Sequence, residues 1–370
     1  MSHPRIRVLV VDDSVVVRRL VSDVLAGDPR LEVVGSAANG KVALAKIPQL
    51  NPDIITLDVE MPVMDGLETL EHLRALHPRL PVIMFSTLTE RGAAATLDAL
   101  ERGARDYVTK PANVGSVTAS MEAVRAQLVP RIVALCGRAV PAAPTGHTVP
   151  PTPAPTVPRT TAAQHRVDVL AIGASTGGPD ALVTVLSALP ASLPVPVVVV
   201  QHMPPVFTRQ FADRLDRRCA LRVREAAGGE LLSPGEVLLA PGDHHLRLRR
   251  SGDRVVTTLD QGTPENYCRP AVDVLFRSVS EVYGAHVLGV VLTGMGADGA
   301  RASVDLVAGG GTVYAQDEAT SVVWGMPGAV VAAGSAARVL PLAEVAPAVL
   351  ARLATGRAAG LSRSLEGVRS

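Results

Sequence analysis

The chain has 370 residues, enough for two domains that each bury a core of their own. With a formal net charge of +1 and only 2 % aromatic residues, it has no global field toward nucleic acid or anionic lipid and few platforms for stacked bases. No apolar run reaches the roughly 18 residues that cross a bilayer, and the first residues lead into a strand without a signal-peptide core. The cysteines, Cys136, Cys219 and Cys268, have neither disulfide-framework nor metal-ligand spacing. The expectation is a cytoplasmic protein with no nucleic-acid partner and no membrane insertion.

In chain order, a strand at Arg7-Val8-Leu9-Val10-Val11 is followed by apolar residues at helical spacing: Val17, Leu20, Val21, Val24 and Leu25. Strands expected over 31–35, 53–58, 81–86 and 106–110 are each followed by a helical stretch. Five such units predict a doubly wound parallel sheet with helices on both faces. From Cys136 to His165 the apolar periodicity stops, and seven prolines alternate with Ala and Thr, which favours extended, solvated backbone. Alternation returns at Val167, with strands expected over 169–172, 195–201, 287–293 and 311–315. A hairpin, 245–250 with 254–259, interrupts around Ser251-Gly252-Asp253. The second domain is therefore expected to be α/β with a mixed, mostly parallel sheet. The expected division is 1–125, a proline-rich linker over 126–165, a second domain over 166–356 and a disordered tail over 357–370.

Ligands of doubly wound sheets sit at the carboxyl ends of the strands. Asp12, Asp13 and Asp58 all fall there, and three carboxylates in one cleft repel unless a cation joins them. Oxygen-only ligands favour Mg²⁺. Lys110 ends another strand at the same edge, ready to meet a phosphate, and Ser86 could hydrogen-bond it. Any one such aspartate more commonly caps a helix, but this many charges on one edge argue against that.

These residues resemble the receiver domain of bacterial response regulators, a flavodoxin-like fold, over roughly residues 5 to 125. The matching runs are Val10-Val11-Asp12-Asp13-Ser14, the stretch from Leu57 to Gly66, and Tyr107-Val108-Thr109-Lys110-Pro111. The resemblance implies that Asp58 takes a phosphoryl group from a histidine kinase. It also implies Mg²⁺ on Asp13, Asp58 and the backbone carbonyl of Glu60, with Asp12 nearby, and a Tyr107 that reorients on activation. The switch hydroxyl is Ser86 by strand register, or Thr87 directly after it.

In the second half, Gly173-Ala174-Ser175-Thr176-Gly177 fits G-x-S-x-G in a strand–turn–helix setting. Equally, Ser175 could only cap the helix. A hydroxyl nucleophile needs a base. Of the nine histidines, His202 is the one that ends a long apolar strand, on the same sheet edge as Ser175. Asp298 reaches that edge after the strand ending at Thr293. A rival reading attaches to the same segment: Gly294, Gly296 and Gly299 spell G-x-G-x-x-G, with Asp317-Glu318 near the distance of a ribose ligand. A dinucleotide-binding oxidoreductase would fit that motif alone. Against it, the motif comes late in its domain, its helix begins with an acidic residue, and Ser175 and His202 are left without a role. The chain order Ser, His, Asp is not that of α/β-hydrolases, but triads are defined by geometry.

Roughly residues 166 to 356 resemble the catalytic domain of the chemotaxis protein-glutamate methylesterases. The runs that carry this are Ala171 to Gly178, Gln201-His202-Met203-Pro204-Pro205, Leu239 to Asp243, Arg269 to Phe276, and Leu292 to Gly299. The resemblance implies a phosphorylation-activated serine hydrolase that removes methyl esters from glutamates of chemoreceptors and deamidates receptor glutamines, with no cofactor for the ester reaction. Ser175 would attack, His202 would shuttle the proton and Asp298 would orient it. The Met295 backbone N–H, with Thr176, would donate to the oxyanion, and the unphosphorylated receiver would shield the site. A docking protein with an idle second domain is the contrasting expectation.

Overall fold

The structure, a computed structural model, describes residues 5–111, 117–136 and 165–366. The first domain runs β1 (Ile6–Val11), α1 (Val15–Ala26), β2 (Leu31–Ala37), α2 (Gly40–Leu50), β3 (Ile54–Asp58), α3 (Gly66–Leu76), β4 (Val82–Ser86), α4 (Glu90–Glu101), β5 (Asp106–Thr109) and α5 (Val117–Cys136). Its sheet has the order β2-β1-β3-β4-β5, and every pairing is parallel. Such strands are covered on both faces, which is why they read as continuous Val/Ile/Leu runs. Helix starts are fixed by side-chain caps: Ser14, Asn39, Asp65 and Thr89 accept from Val17, Val42, Glu68 and Gly92 N–H.

One boundary differs from expectation. Residues 126–136 extend α5 rather than open a linker, because Leu128, Val129 and Ile132 bury themselves with Val8, Val10 and Leu25 in the core of the first domain. Pro130 lies inside this helix, where it would ordinarily end the pattern. The remaining linker residues, 137–164, lie outside the described residues.

The second domain continues with β6 (Val169–Ala174), α6 (Gly178–Ser187), β7 (Val197–Gln201), α7 (Pro205–Arg218), β8 (Arg222–Glu225), β9 (Glu236–Leu239), β10 (His245–Ser251), β11 (Arg254–Asp260) and α8 (Val272–Tyr283). It closes with β12 (Val287–Val291), α9 (Ala300–Ala308), β13 (Thr312–Gln316), α10 (Met326–Ala332), β14 (Arg338–Leu340) and α11 (Leu342–Glu366). The seven-stranded sheet has the order β14-β13-β12-β6-β7-β9-β8 and is parallel throughout. The mostly parallel sheet expected here holds, and the hairpin β10–β11, which would have made it mixed, forms its own two-stranded sheet, with Leu246 and Leu248 buried against α8. The backbone also stays helical to Glu366, where disorder was expected after Arg357; residues 367–370 lie outside the described residues. Because β12, β6 and β7 are neighbours at the centre of the sheet, the segments leaving their carboxyl ends converge.

The two domains pack through α4 against α7 and α6. Tyr107 stacks on Phe207 with ring centroids 4.6 Å apart and planes 5° from parallel. Arg214 pairs with Asp98 and, at 2.8 Å, with Glu101, while Arg218 reaches Glu101 at 2.8 Å. Gln210 Nε2 donates to the Glu90 carbonyl at 2.7 Å.

Candidate active site and phosphoacceptor pocket

At the carboxyl edge of the first domain's sheet, β1 leads into Asp12-Asp13 and β3 ends in Asp58. Carboxylate oxygens of Asp12, Asp13 and Asp58 all lie within 4.8 Å of one another. Lys110 Nζ bridges Asp12 at 2.9 Å and Asp58 at 2.8 Å. Burial and the charge of Asp12 raise the Asp58 carboxyl to about 6, against the pull of Lys110 and the Glu60 N–H. Such a site gains from a cation, and its all-oxygen donor set suits Mg²⁺. The Glu60 side chain turns to Arg91 at 3.3 Å, which leaves only its backbone for the pocket. Gly66 closes the loop beneath, since a Cβ there would collide with the Asp58 carbonyl oxygen.

Both candidate switch hydroxyls border this pocket of about 270 Å³. Ser86 Oγ is buried and donates to the Gly92 carbonyl at 3.1 Å, whereas Thr87 Oγ1 is exposed and lies 3.2 Å from Thr89 Oγ1. Tyr107 does not reach the pocket here; it is buried under the second domain.

In the second domain, β6 delivers Ser175 into a turn closed by Gly177 at φ 74°, a conformation that favours glycine. Ser175 is held by its backbone. Its N–H donates to the Thr293 carbonyl at 3.0 Å, and its carbonyl accepts from Gln201 Nε2 at 2.9 Å. His202 follows β7 and meets Asp298 through Nε2 at 2.8 Å, while its Nδ1 faces Cys268 Sγ at 3.5 Å. Among the described residues no hydrogen bond joins Ser175 Oγ to His202, although both side chains line one crevice.

Asp298 is the most heavily supported member of the group. It is buried and accepts from the N–H groups of Val272 (2.6 Å) and Asp273 (3.0 Å) and from Asn266 Nδ2 (2.9 Å). Burial works against its charge, but His202 and these donors outweigh it and hold the carboxyl below its usual range. For His202, burial lowers the pKa, and Cys268 and Asp298 together raise it above the ordinary histidine value. The contribution of the Asp298 carboxylate stands whatever the state of the Cys268 thiol.

Gly294 brings the next segment against the serine, since a Cβ there would stand 2.9 Å from Ser175 Cβ. The Met295 and Thr176 backbone N–H groups have no partner among the described residues. Two glycines of the G-x-G-x-x-G run thus serve close packing, Gly294 against Ser175 and Met326 and Gly299 against Val272, while Gly296, with open space where a Cβ would stand, serves a turn at φ 88°. Sequence reasoning did not find Asn266, Cys268, Gln201 or Thr293. Gln201 adjoins His202 at a strand end and could have been noticed. Asn266 and Cys268 arrive from a turn whose position only the fold defines.

The first domain sits on this group. Asp106, at the start of β5, accepts from Thr176 Oγ1 at 2.7 Å and from Arg131 Nε at 3.0 Å. The crevice shared by Asp106, Tyr107, Ser175, Thr176 and His202 measures about 10 Å³, room for no more than a water. A wider cleft of about 400 Å³ opens on the far side of His202, between Tyr107, Arg131, Met203 and Cys268.

Two doubly wound domains, one with an acidic strand-end pocket and one with a serine, histidine and aspartate at its central strand ends, define a receiver-linked α/β enzyme. Residues 170–349 match the CheB methylesterase family and residues 8–122 the response regulator receiver domain. A protein-glutamate methylesterase/protein-glutamine glutaminase of Nocardioides sp. is 58 % identical over 360 residues, covering 96 % of this chain and 97 % of that one. One from Trichodesmium erythraeum is 51 % identical over 353 residues, covering 95 % and 99 %. The crystal structure of the Thermotoga maritima CheB methylesterase catalytic domain covers 49 % of this chain and 96 % of its own, at 44 % identity and a TM-score of 0.48. The chain belongs to the CheB methylesterase family, in the form that carries an N-terminal receiver.

Proposed function

We propose that this chain hydrolyses γ-glutamyl methyl esters of chemoreceptors, and deamidates receptor glutamines, through Ser175, His202 and Asp298. We propose further that a histidine kinase controls it by phosphorylating Asp58. The observation that carries the catalytic assignment is the hydrogen bond from His202 to the buried Asp298 beside Ser175, at the adjoining ends of β6, β7 and β12.

Asp298 accepts from Nε2 of His202, so Nδ1, which faces Cys268 Sγ at 3.5 Å here, is the nitrogen that would exchange that contact for the Ser175 proton. Ser175 Oγ attacks the ester carbon, and the carbonyl electrons move onto oxygen beside the N–H groups of Met295 and Thr176. Collapse expels methoxide, which leaves as methanol with the proton from His202. Water, deprotonated by His202, then cleaves the acyl-serine and frees the glutamate. With a glutamine substrate the leaving group is ammonia.

In the receiver, Asp13, Asp58 and the Glu60 carbonyl, with Asp12 beside them, would hold Mg²⁺. That ion supplies positive charge to a phosphoryl group bound there. Lys110 offers a second cation, and Ser86 or Thr87 the hydroxyl that follows the phosphate. Tyr107 leaving Phe207 is the movement that would uncover the site.

Ser175→Ala tests the catalytic assignment: the fold stays intact and methanol release falls by roughly four to six orders of magnitude. Near-normal release by that variant or by His202→Ala sinks it.

A further inference from the structure

We infer that the enzyme takes its ester on an acidic helix and that the receiver face on α7 imitates such a helix, so that cover and substrate compete for the same arginines. This rests on the esterase reading and extends it to how the substrate is held. Two separate contacts carry it. In the crevice, the cover presents a carboxylate, Asp106, to Thr176 Oγ1 beside Ser175 and His202. That is the functional group a glutamyl ester becomes on hydrolysis. Along α7, the cover presents Asp98 and Glu101, one helical turn apart on α4, to Arg214 and Arg218.

A substrate helix with its ester in the crevice and further carboxylates along its length meets both points in the same way. Arg214 lies nine residues beyond Pro205, about 14 Å at the helical rise, so those carboxylates fall two to three turns from the reacting glutamate. The Arg214 side chain is only 14 % exposed against α4, so its charge is weakly screened there. When α4 leaves, Arg214 and Arg218 lose these partners together, which makes an acidic helix the fitting replacement.

The test uses the full-length chain and two substrates: a small uncharged γ-methyl glutamyl ester, and an acidic helical peptide carrying the same ester. Arg214→Glu loosens the cover, so turnover of the small ester rises at least about threefold, while KM for the acidic helix rises about tenfold. Arg218→Glu, at a more exposed position, gives the same pair of opposite changes and guards against a folding defect at Arg214. Adding Asp98→Arg to Arg214→Glu, with the Glu101–Arg218 pair left in place, re-forms an ion pair across the cover and returns small-ester turnover toward its original level, with KM for the acidic helix still high. If Arg214→Glu improves both substrates equally, α7 is only a clasp for the receiver and the inference is overturned. If the unaltered chain, given a phosphodonor, hydrolyses neither ester, the esterase reading itself fails and takes the inference with it.

Discussion

Asn266 holds a backbone φ of 52° and uses one amide nitrogen twice, donating to Asp298 at 2.9 Å and to the buried Asp273 at 3.0 Å. Without that amide two buried carboxylates face each other, and burial and the Asp298 charge already raise Asp273. Asn266→Asp keeps shape and φ preference but replaces a donor with a third acceptor. Its kcat/KM is expected to fall roughly 10- to 100-fold, with a displaced pH profile, because the orientation of His202 depends on a charged Asp298. An unchanged profile would show that Asn266 serves only the turn. A second prediction concerns Asp58. The folded state raises this carboxyl from 3.8 to about 6, so it binds the proton more tightly than the unfolded chain does. Stability therefore falls as pH rises from about 4 to about 6, by up to ~3 kcal/mol in the absence of a cation. Asp58→Asn removes this dependence, and denaturant titrations of both forms at pH 4 and pH 7 check it. A steeper dependence in the variant would refute the assignment.

At the scale of elements, β5 joins the two pockets: Asp106 and Tyr107 face the second domain, and Lys110, just past its end, pairs with Asp58. Tyr107→Ala removes the stack on Phe207 and is expected to raise unphosphorylated ester turnover several-fold, a loss of about 1 kcal/mol of cover. Lower or unchanged turnover would mean that the aromatic contact does not hold the shield. Most of this architecture was legible in the sequence. Long apolar strands that end in Asp12, Asp58, Ser175 or His202 announce both their type and their functional ends. What was missed has physical causes. β8, β9 and β14 have three or four residues each, too short to set a period, and in β8 only Val223 is buried. The end of α5 was hidden by Pro130, because tertiary burial of Ile132 overrode a local stop signal. The covering of Ser175 by Asp106 could not be read at all, since no sequence pattern relates two residues from separate domains.

For the whole molecule, deleting residues 1–136 is expected to raise basal turnover and abolish the response to a phosphodonor, since shield and phosphoacceptor go together. If the shortened chain is no more active than the unphosphorylated full-length protein, the receiver does not act as a cover, and activation must come from a contact that the phosphorylated receiver makes.

The placement of Tyr107 on β5 and of Lys110 just past its end has a further thermodynamic consequence. A phosphate that favours the uncovered arrangement by some factor must, by reciprocity, be favoured by that same factor whenever something else uncovers the site. On the proposed reading, a receptor segment that displaces Asp106 would be such an agent. Receptors presenting the ester should therefore raise the phosphate affinity of the receiver, measured with a stable phosphate mimic and Mg²⁺. On this view the substrate acts as a co-activator of the switch, and demethylation is concentrated where unprocessed esters are abundant.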